Sequence, residues 1–478
     1  MADDINGMCE KSPRPWKETV AFYRSSATIH GVPRIGEPPL YVYRPIIWTI
    51  LTLTMASALI AMMYMQFSKY AQNPILTKIN ALFNKELDFP AVTICNLNMF
   101  NRNIVNCTGH QNVDFMFDLF KQMSNVAILT RAKPWSQKSK LLSGQVLRKC
   151  ALDYSNELEK MLTFCVWEGM VKNCSDIFQM TLTDYGMCYT FNKSNVSRVS
   201  TESTGADSGL RVLVDIKQDD YFFSRNLQAG IKVIVHEPDE TPQPISNGVY
   251  AGPGLSAAIA IKKEQAKALP LPYKAFGSHA CVDALSADFI NPLVRFKQYS
   301  RTACLLECDI NEVVKRCNCL HFLNPGSERL CNSFELTRCH LVESRDTLVS
   351  KSYRKNCTCD SPCTEITYQS SVSYSSFTSD FVNNVLYDDG ILPDLDIVRR
   401  NLIDVSVYYE SLIVTETEQV PEMSVMGILG SFGGLMGLFL GASLLSLSEL
   451  VELVVLLVAL WCKPPKPKET IPKPADAV

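Results

Sequence analysis

Two stretches of the chain are almost free of polar residues, and they frame everything between them. Residues 46–67 (IIWTILTLTMASALIAMMYMQF) carry no charge between Arg44 and Lys69. As a helix that run spans the ~30 Å hydrocarbon core of a bilayer. It starts too late, and lacks a small-residue cleavage site, to be a signal peptide. The second stretch, 423–462, is interrupted only by Glu449 and Glu452. A straight helix over 427–460 is about 50 Å long, so it must tilt strongly, break or protrude. Between these stretches the pattern changes. Runs at 210–216, 230–236, 257–262 and 404–415 predict strands, and 298–317 and 376–389 predict helices. The expected organisation is a tail (1–44), a membrane helix (45–69), a large mixed α+β outer domain (70–420), a second membrane helix (421–462) and a tail (463–478).

Charge gives this plan an orientation. Lys11, Arg14, Lys17, Arg24, Arg34 and Arg44 precede the first apolar stretch, and Lys463, Lys466, Lys468 and Lys473 follow the second. The positive-inside rule puts both ends in the cytoplasm of a two-pass plasma-membrane protein. The Lys/Pro-rich end, KPPKPKETIPKPADAV, reads as extended and disordered. A net charge of −3 over 478 residues argues against a nucleic-acid partner.

The cysteines place the middle segment outside. Of 18, 16 lie between Cys95 and Cys363, with only Cys9 and Cys462 beyond. Such a set reads as a disulfide framework in an oxidising compartment. Five N-x-S/T sequons, at Asn106, Asn173, Asn192, Asn195 and Asn356, fall in the same span and predict glycosylation. Cys304 and Cys308 share one helical face. Spacing alone leaves the pairing open, and an oxidising compartment makes a zinc site at Cys317-x-Cys319-x-His321 the weaker reading.

The candidate chemistry lies in the second apolar stretch. Gly427, Gly430, Gly433, Gly434, Gly437 and Gly441 crowd its first half, with Ser431, Ser443, Ser446 and Ser448 beside or after them. Small residues suit close helix packing in lipid. A carboxylate inside a membrane, however, costs about 2.5–3.5 kcal/mol on insertion scales and faces a water-filled path. Glu449 and Glu452 are three apart, so in a symmetric oligomer they form acidic rings that attract cations. Gly441-Ala442-Ser443, between the two halves, lets carbonyls line a narrow pore if the helix unwinds there. One such segment cannot enclose a pore, so several copies are required. No G-x-S-x-G, H-E-x-x-H or Walker pattern is present, and the expectation is a non-enzyme without cofactor or metal.

At this point the chain resembles the epithelial sodium channel/degenerin/acid-sensing ion channel family. His30-Gly31 is similar to its gating motif and Phe89–Asn96 to its first palm strand. Tyr299–Cys304 with Cys308, Cys317 and Cys319 is similar to its thumb helix, and Gly433–Leu440 with Gly441-Ala442-Ser443 to its pore helix and selectivity filter. The resemblance implies a trimer, homomeric or with related subunits, in which each chain has a β palm and ball with a helical finger and thumb. It implies a ligand-gated, sodium-preferring channel blocked by amiloride-like cations. It implies the pairs Cys95–Cys188, Cys165–Cys174, Cys281–Cys363, Cys304–Cys359, Cys308–Cys357, Cys317–Cys339 and Cys319–Cys331, leaving Cys107 with Cys150. It also implies that Tyr70 and Tyr273 couple the outer domain to the first membrane helix, and that Gly427 sits at the gate with Gly430, Ser431 and Gly434 in the pore. Departures from the acid-sensing branch include Tyr70-Ala71-Gln72-Asn73, Met99, Thr415 and Ser431, and the chain has only six histidines. The agonist is therefore open among a peptide, protons and another small ligand. The competing readings are an ATP-gated two-pass channel, which calls for an outer lysine cluster, and a two-pass receptor without a pore.

Overall fold

The computed structural model describes residues 16–36, 43–109, 113–124, 141–193, 198–222, 227–277, 279–344 and 357–461. Asn195, Asn356, Cys9, Cys462 and the tail after it lie outside these residues. The chain divides into two compact units: Thr77–Val420, and a second formed by Met1–Leu76 with Pro421–Val478.

The larger unit is built on two main sheets. The eight-stranded one runs Ile75–Phe83, Ile413–Pro421, Leu255–Lys267, Leu402–Tyr409, Leu210–Asp215, Leu162–Trp167 and Met170–Lys172, with Thr364–Ser376 also paired to Leu255–Lys267. The five-stranded one runs Val249–Ala251, Ile231–His236, Ala91–Asn96, Gly186–Phe191 and Phe178–Thr183. Inward residues of both, among them Val92, Ile94, Phe191, Val212, Ile259 and Val405, form one core. Phe89 is fully buried in it, with edge contacts to Trp167 (4.7 Å), Tyr409 (5.7 Å) and Phe191 (6.0 Å).

Sequence patterning located four of these runs, with two main errors. The run 404–415 is two strands, Leu402–Tyr409 and Ile413–Pro421. They separate at Glu410, whose N–H leaves for the Ile261 carbonyl. The helix expected at 376–389 covers only Asp380–Asp388, capped by Ser379, because the preceding strand pairs with Leu255–Lys267 as far as Ser376. Residues 89–96 supply a central strand of the five-stranded sheet, whereas the larger sheet opens with Ile75–Phe83. That strand is mostly exposed and carries no burial pattern to read.

A second core packs helices Val113–Met123 and Gly144–Asp153 against Cys319, Phe322, Leu323 and Leu336. The helix Arg301–Cys317 begins where the Ser300 side chain accepts from Ala303 N–H and ends at left-handed Asn318. Its buried Glu307 accepts the backbone N–H groups of Val294 (2.9 Å) and Arg295 (3.0 Å).

The smaller unit contains helices α1 (Trp16–Ser26), α2 (Val32–Gly36), α3 (Tyr43–Ala71), α4 (Val425–Leu440) and α5 (Leu444–Trp461). Among the described residues, α3 alone is long and apolar enough to cross a membrane by itself. Helices α4 and α5 meet the same test jointly, as a pair bent by 76°. The long apolar stretch therefore breaks, the second of the three options that its length allows.

Candidate pore and gating site

The break is a built feature of the chain. Helix α4 ends because Gly441 turns left-handed, with φ +60°, a conformation that glycine adopts without steric penalty. Gly441 N–H donates to the Gly437 carbonyl (3.0 Å), and Ala442 N–H reaches back to that of Met436 (3.2 Å). Helix α5 then restarts under its own cap. Ser443 N–H donates to Ser446 Oγ (3.1 Å), and Leu447 N–H donates to the Ser443 carbonyl (3.2 Å). Both ends at the break thus have partners for backbone groups that helix termini leave unsatisfied.

The segment before α2 closes on this break. His30 N–H donates to the Leu440 carbonyl (2.8 Å). The His30 ring lies so close to Gly441 that a Cβ there would stand 2.1 Å from Nδ1. Gly31 is left-handed too, with φ +93°, and a Cβ on it would meet Thr52 Oγ1 of α3 at 2.4 Å. Two residues earlier, the Thr28 hydroxyl lies 2.7 Å from Ser446 Oγ, and its N–H and Oγ both donate to Glu449 Oε2 at 3.1 Å. Ser446 and Ala442 are buried. Glu449 is held by Thr28, whereas Glu452, one turn on, is exposed.

The remaining positions divide by unit. Helix α4 starts at Ser424, whose hydroxyl accepts from Gly427 N–H (3.0 Å). A Cβ added at Gly430, Gly433, Gly434 or Gly437 meets nothing within 4 Å, so within one chain this glycine face is unpacked; Ser431 is half-buried. Tyr70 is half-buried in the last turn of α3. In the larger unit, half-buried Tyr273 lies in a turn, its N–H donating to the Pro270 carbonyl.

Eight disulfides hold the larger unit: Cys95–Cys188, Cys107–Cys150, Cys165–Cys174, Cys281–Cys363, Cys304–Cys359, Cys308–Cys357, Cys317–Cys339 and Cys319–Cys331. Seven are the pairs that the family resemblance implies, and the eighth joins the two cysteines left over. Asn106 and Asn173 are exposed. Asn192 corrects an expectation: it is buried, its Nδ2 donates to the Phe89 carbonyl (2.6 Å), and its Oδ1 accepts from Val199 N–H (3.2 Å). An amide so engaged cannot carry a glycan in the folded chain. Sequence reasoning passed over Thr28 and Thr52. Thr28 stands 421 positions from Glu449, and no local pattern reports such a contact.

The chain is 27% identical over 454 residues to "Acid-sensing ion channel 4-B" of Danio rerio, covering 92% of this chain and 76% of that one. It is 26% identical over 455 residues to "Bile acid-sensitive ion channel" of Mus musculus, covering 91% and 86%. To "Acid-sensing ion channel 1" of Gallus gallus it is 26% identical over 453 residues, covering 89% and 81%. A solved proton-activated chloride channel covers 87% of this chain and 97% of its own, with a TM-score of 0.32 and 6% identity, too distant a likeness to bear on fold or function. The family model described as "Amiloride-sensitive sodium channel" matches residues 23–453, and the chain belongs to that family.

Proposed function

We propose that three copies of this chain, identical or related, surround a sodium-preferring pore in the plasma membrane, opened by an extracellular ligand and blocked by amiloride-like cations. In this reading residues 45–69 and 421–462 span the bilayer. Residues 70–420 face outside, and the tails 1–44 and 463–478 lie in the cytoplasm. The observation that carries it is the capped break at Gly441-Ala442-Ser443, held by His30. Membrane-depth backbone that leaves a helix is tolerated where it is buried in protein or lines water, and small side chains there let carbonyls face a permeating ion. The open glycine face of α4 supports the same reading, since neighbouring copies offer it a partner of the close-packing kind. Glu452 and the Thr28-held Glu449 then supply negative charge along the inner path. Tyr70 and Tyr273 couple outer rearrangement to α3, and Gly427 lies at the gate. The relatives' names, acid-sensing and bile acid-sensitive, support a chemical stimulus, and the agonist here is a peptide, protons or another small ligand.

The test is permeation. Ser443→Phe, expressed in cells, abolishes current or shifts the reversal potential measured in sodium against potassium, while surface trimers persist. An unchanged permeability ratio with normal current removes 441–443 from the filter.

A further inference from the structure

At the end of the apolar stretches remote from the 441–443 break, one ion pair joins the two segments. Helix α3 stops at Ala71. Gln72 N–H donates to the Lys69 carbonyl (3.2 Å) and Asn73 N–H to that of Tyr70 (2.9 Å). Asn73 turns left-handed, with φ 49°. Pro74 follows, and its carbonyl accepts from Glu422 N–H (2.9 Å). Glu422 stands just ahead of α4, and its Oε1 lies 2.5 Å from the Nζ of Lys69, in the last turn of α3. Glu422 is thus gripped twice, by its backbone through Pro74 and by its side chain through Lys69.

Solvation does not call for this pair. Each charge sits at the edge of an apolar stretch, where a long side chain reaches water or headgroups unaided. Each also suits its own helix end, the cation at the C-terminus of α3 and the anion ahead of the N-terminus of α4. Nor does folding call for it. The two side chains keep 51% and 28% exposure, and an ion pair so open to water adds little to stability. What the pair does fix is position. Lys69 and Glu422 are 353 residues apart in the chain, with the whole larger unit between them. Their contact ties the end of α3 directly to the start of α4, one helical turn ahead of Gly427.

We propose that Lys69 and Glu422 are positioning residues: a charge clasp that holds the end of α3 against the start of α4 and keeps the gate shut at rest. Opening a pore lined by α4 moves that helix against α3. The side-chain half of the clasp then gives way, while the Pro74–Glu422 backbone bond serves as the hinge. A contact made in one state and lost in the other biases the equilibrium between them, so a pair that adds little to folding still sets how often the gate opens. The gating role rests on the pore reading; the clasp itself does not.

The clasp is read first without a current. A water-soluble carbodiimide condenses an ammonium and a carboxylate into an amide where the two touch. In purified full-length protein in detergent it links Lys69 to Glu422, and peptide mass spectrometry finds the joined pair of peptides. Glu422→Gln abolishes that link.

Its role is then read as resting sodium current in cells matched for surface density. Lys69→Glu and Glu422→Lys each raise that current at least about three-fold, since like charges now face each other where an attraction stood. The double swap, Lys69→Glu with Glu422→Lys, restores the pair and returns the current to the wild-type level, a coupling that two independent structural defects do not show. Lys69→Arg stays near wild type. Should a reversal fail to reach the surface, Lys69→Gln and Glu422→Gln take its place, with a smaller rise of the same sign. The proposal is overturned by a wild-type protein that carbodiimide does not link, by single variants whose resting current is unchanged or lowered, or by a double swap no better than the singles. A protein that carries the link yet passes no current in any form counts against the pore reading alone.

Discussion

The two units of this chain are held together by different physics. The larger is stapled eight times and packs a continuous core between two sheets. The smaller has no disulfide among its described residues, and its defining feature, the break between α4 and α5, rests on a left-handed glycine and a handful of hydrogen bonds. A disulfide contributes about 2–5 kcal/mol and a hydrogen bond about 1 kcal/mol net. Closed and open states of a channel differ by only a few kcal/mol. Contacts of the second kind can be exchanged within that range; contacts of the first kind cannot. In the proposed channel the stapled unit is therefore suited to hold one shape, and the unstapled one to move between two.

The largest expected effect breaks this contrast from the strong side. Cys95 and Cys188 face each other across paired strands, both fully buried, and their bridge closes a separation of 93 residues. Replacing both with Ala lowers the stability of the larger unit by about 2–5 kcal/mol, read as a shifted denaturant midpoint under non-oxidising handling. Gly430→Ala in α4, where a Cβ meets nothing within 4 Å in the single chain, leaves the denaturant midpoint of the larger unit within error of wild type. Equal effects from the two changes erase the distinction between the units.

Acid probes the larger unit at the next level. Burial lowers both His236 and His340 from 6.5 to about 4. A folded pKa below the unfolded one means that the unfolded chain binds more protons between those values, so stability falls as pH drops from 6.5 toward 4. Each shift is worth roughly 3 kcal/mol. Glu240 works in the opposite sense. Raised from 4.5 to about 7, it takes up its proton first in the folded state, and acidification returns roughly 3 kcal/mol. Two groups against one leave a net loss of roughly 3 kcal/mol between pH 6.5 and 4. His340→Gln removes most of that slope in the melting temperature, and a slope that survives the substitution assigns the acid sensitivity elsewhere.

The same contrast explains what the sequence made legible. Stapling and burial mark the chain locally. The cysteines cluster, the strand at 210–216 is found nearly to the residue, and the helix ending at Cys317 is found because its apolar positions recur. The helix break was also foreshadowed, since a run too long for the bilayer with a glycine at 441 has few other places to turn. The contacts made across the helix break leave no such mark. His30 and Gly31 were identified by resemblance alone, because their roles depend on Leu440, Gly441 and Thr52 rather than on any periodicity. Thr28 was passed over for the same reason. Asn192 shows the converse error: its sequon is intact, yet its side chain is committed to the Phe89 carbonyl.

The smallest expected effect sharpens the comparison from the weak side. Thr28 donates twice to Glu449 and exchanges a third hydrogen bond with Ser446. Thr28→Val keeps the shape and the backbone N–H but deletes the hydroxyl, so two of the three contacts are lost, worth about 1–2 kcal/mol net. A change of that size alters an equilibrium by roughly five- to thirty-fold. It does so only to the extent that the contact differs between closed and open states. Thr28→Val is therefore expected to change open probability several-fold in single-channel records, with surface density and the sodium-to-potassium ratio unchanged, because Ser443 and Gly441 keep their own caps. Thr28→Ser restores the hydroxyl and with it wild-type gating. If Thr28→Val instead altered selectivity and left gating alone, the hydroxyl would belong to the ion path itself, and the shallow contacts of the smaller unit would be shaping the filter rather than setting its position.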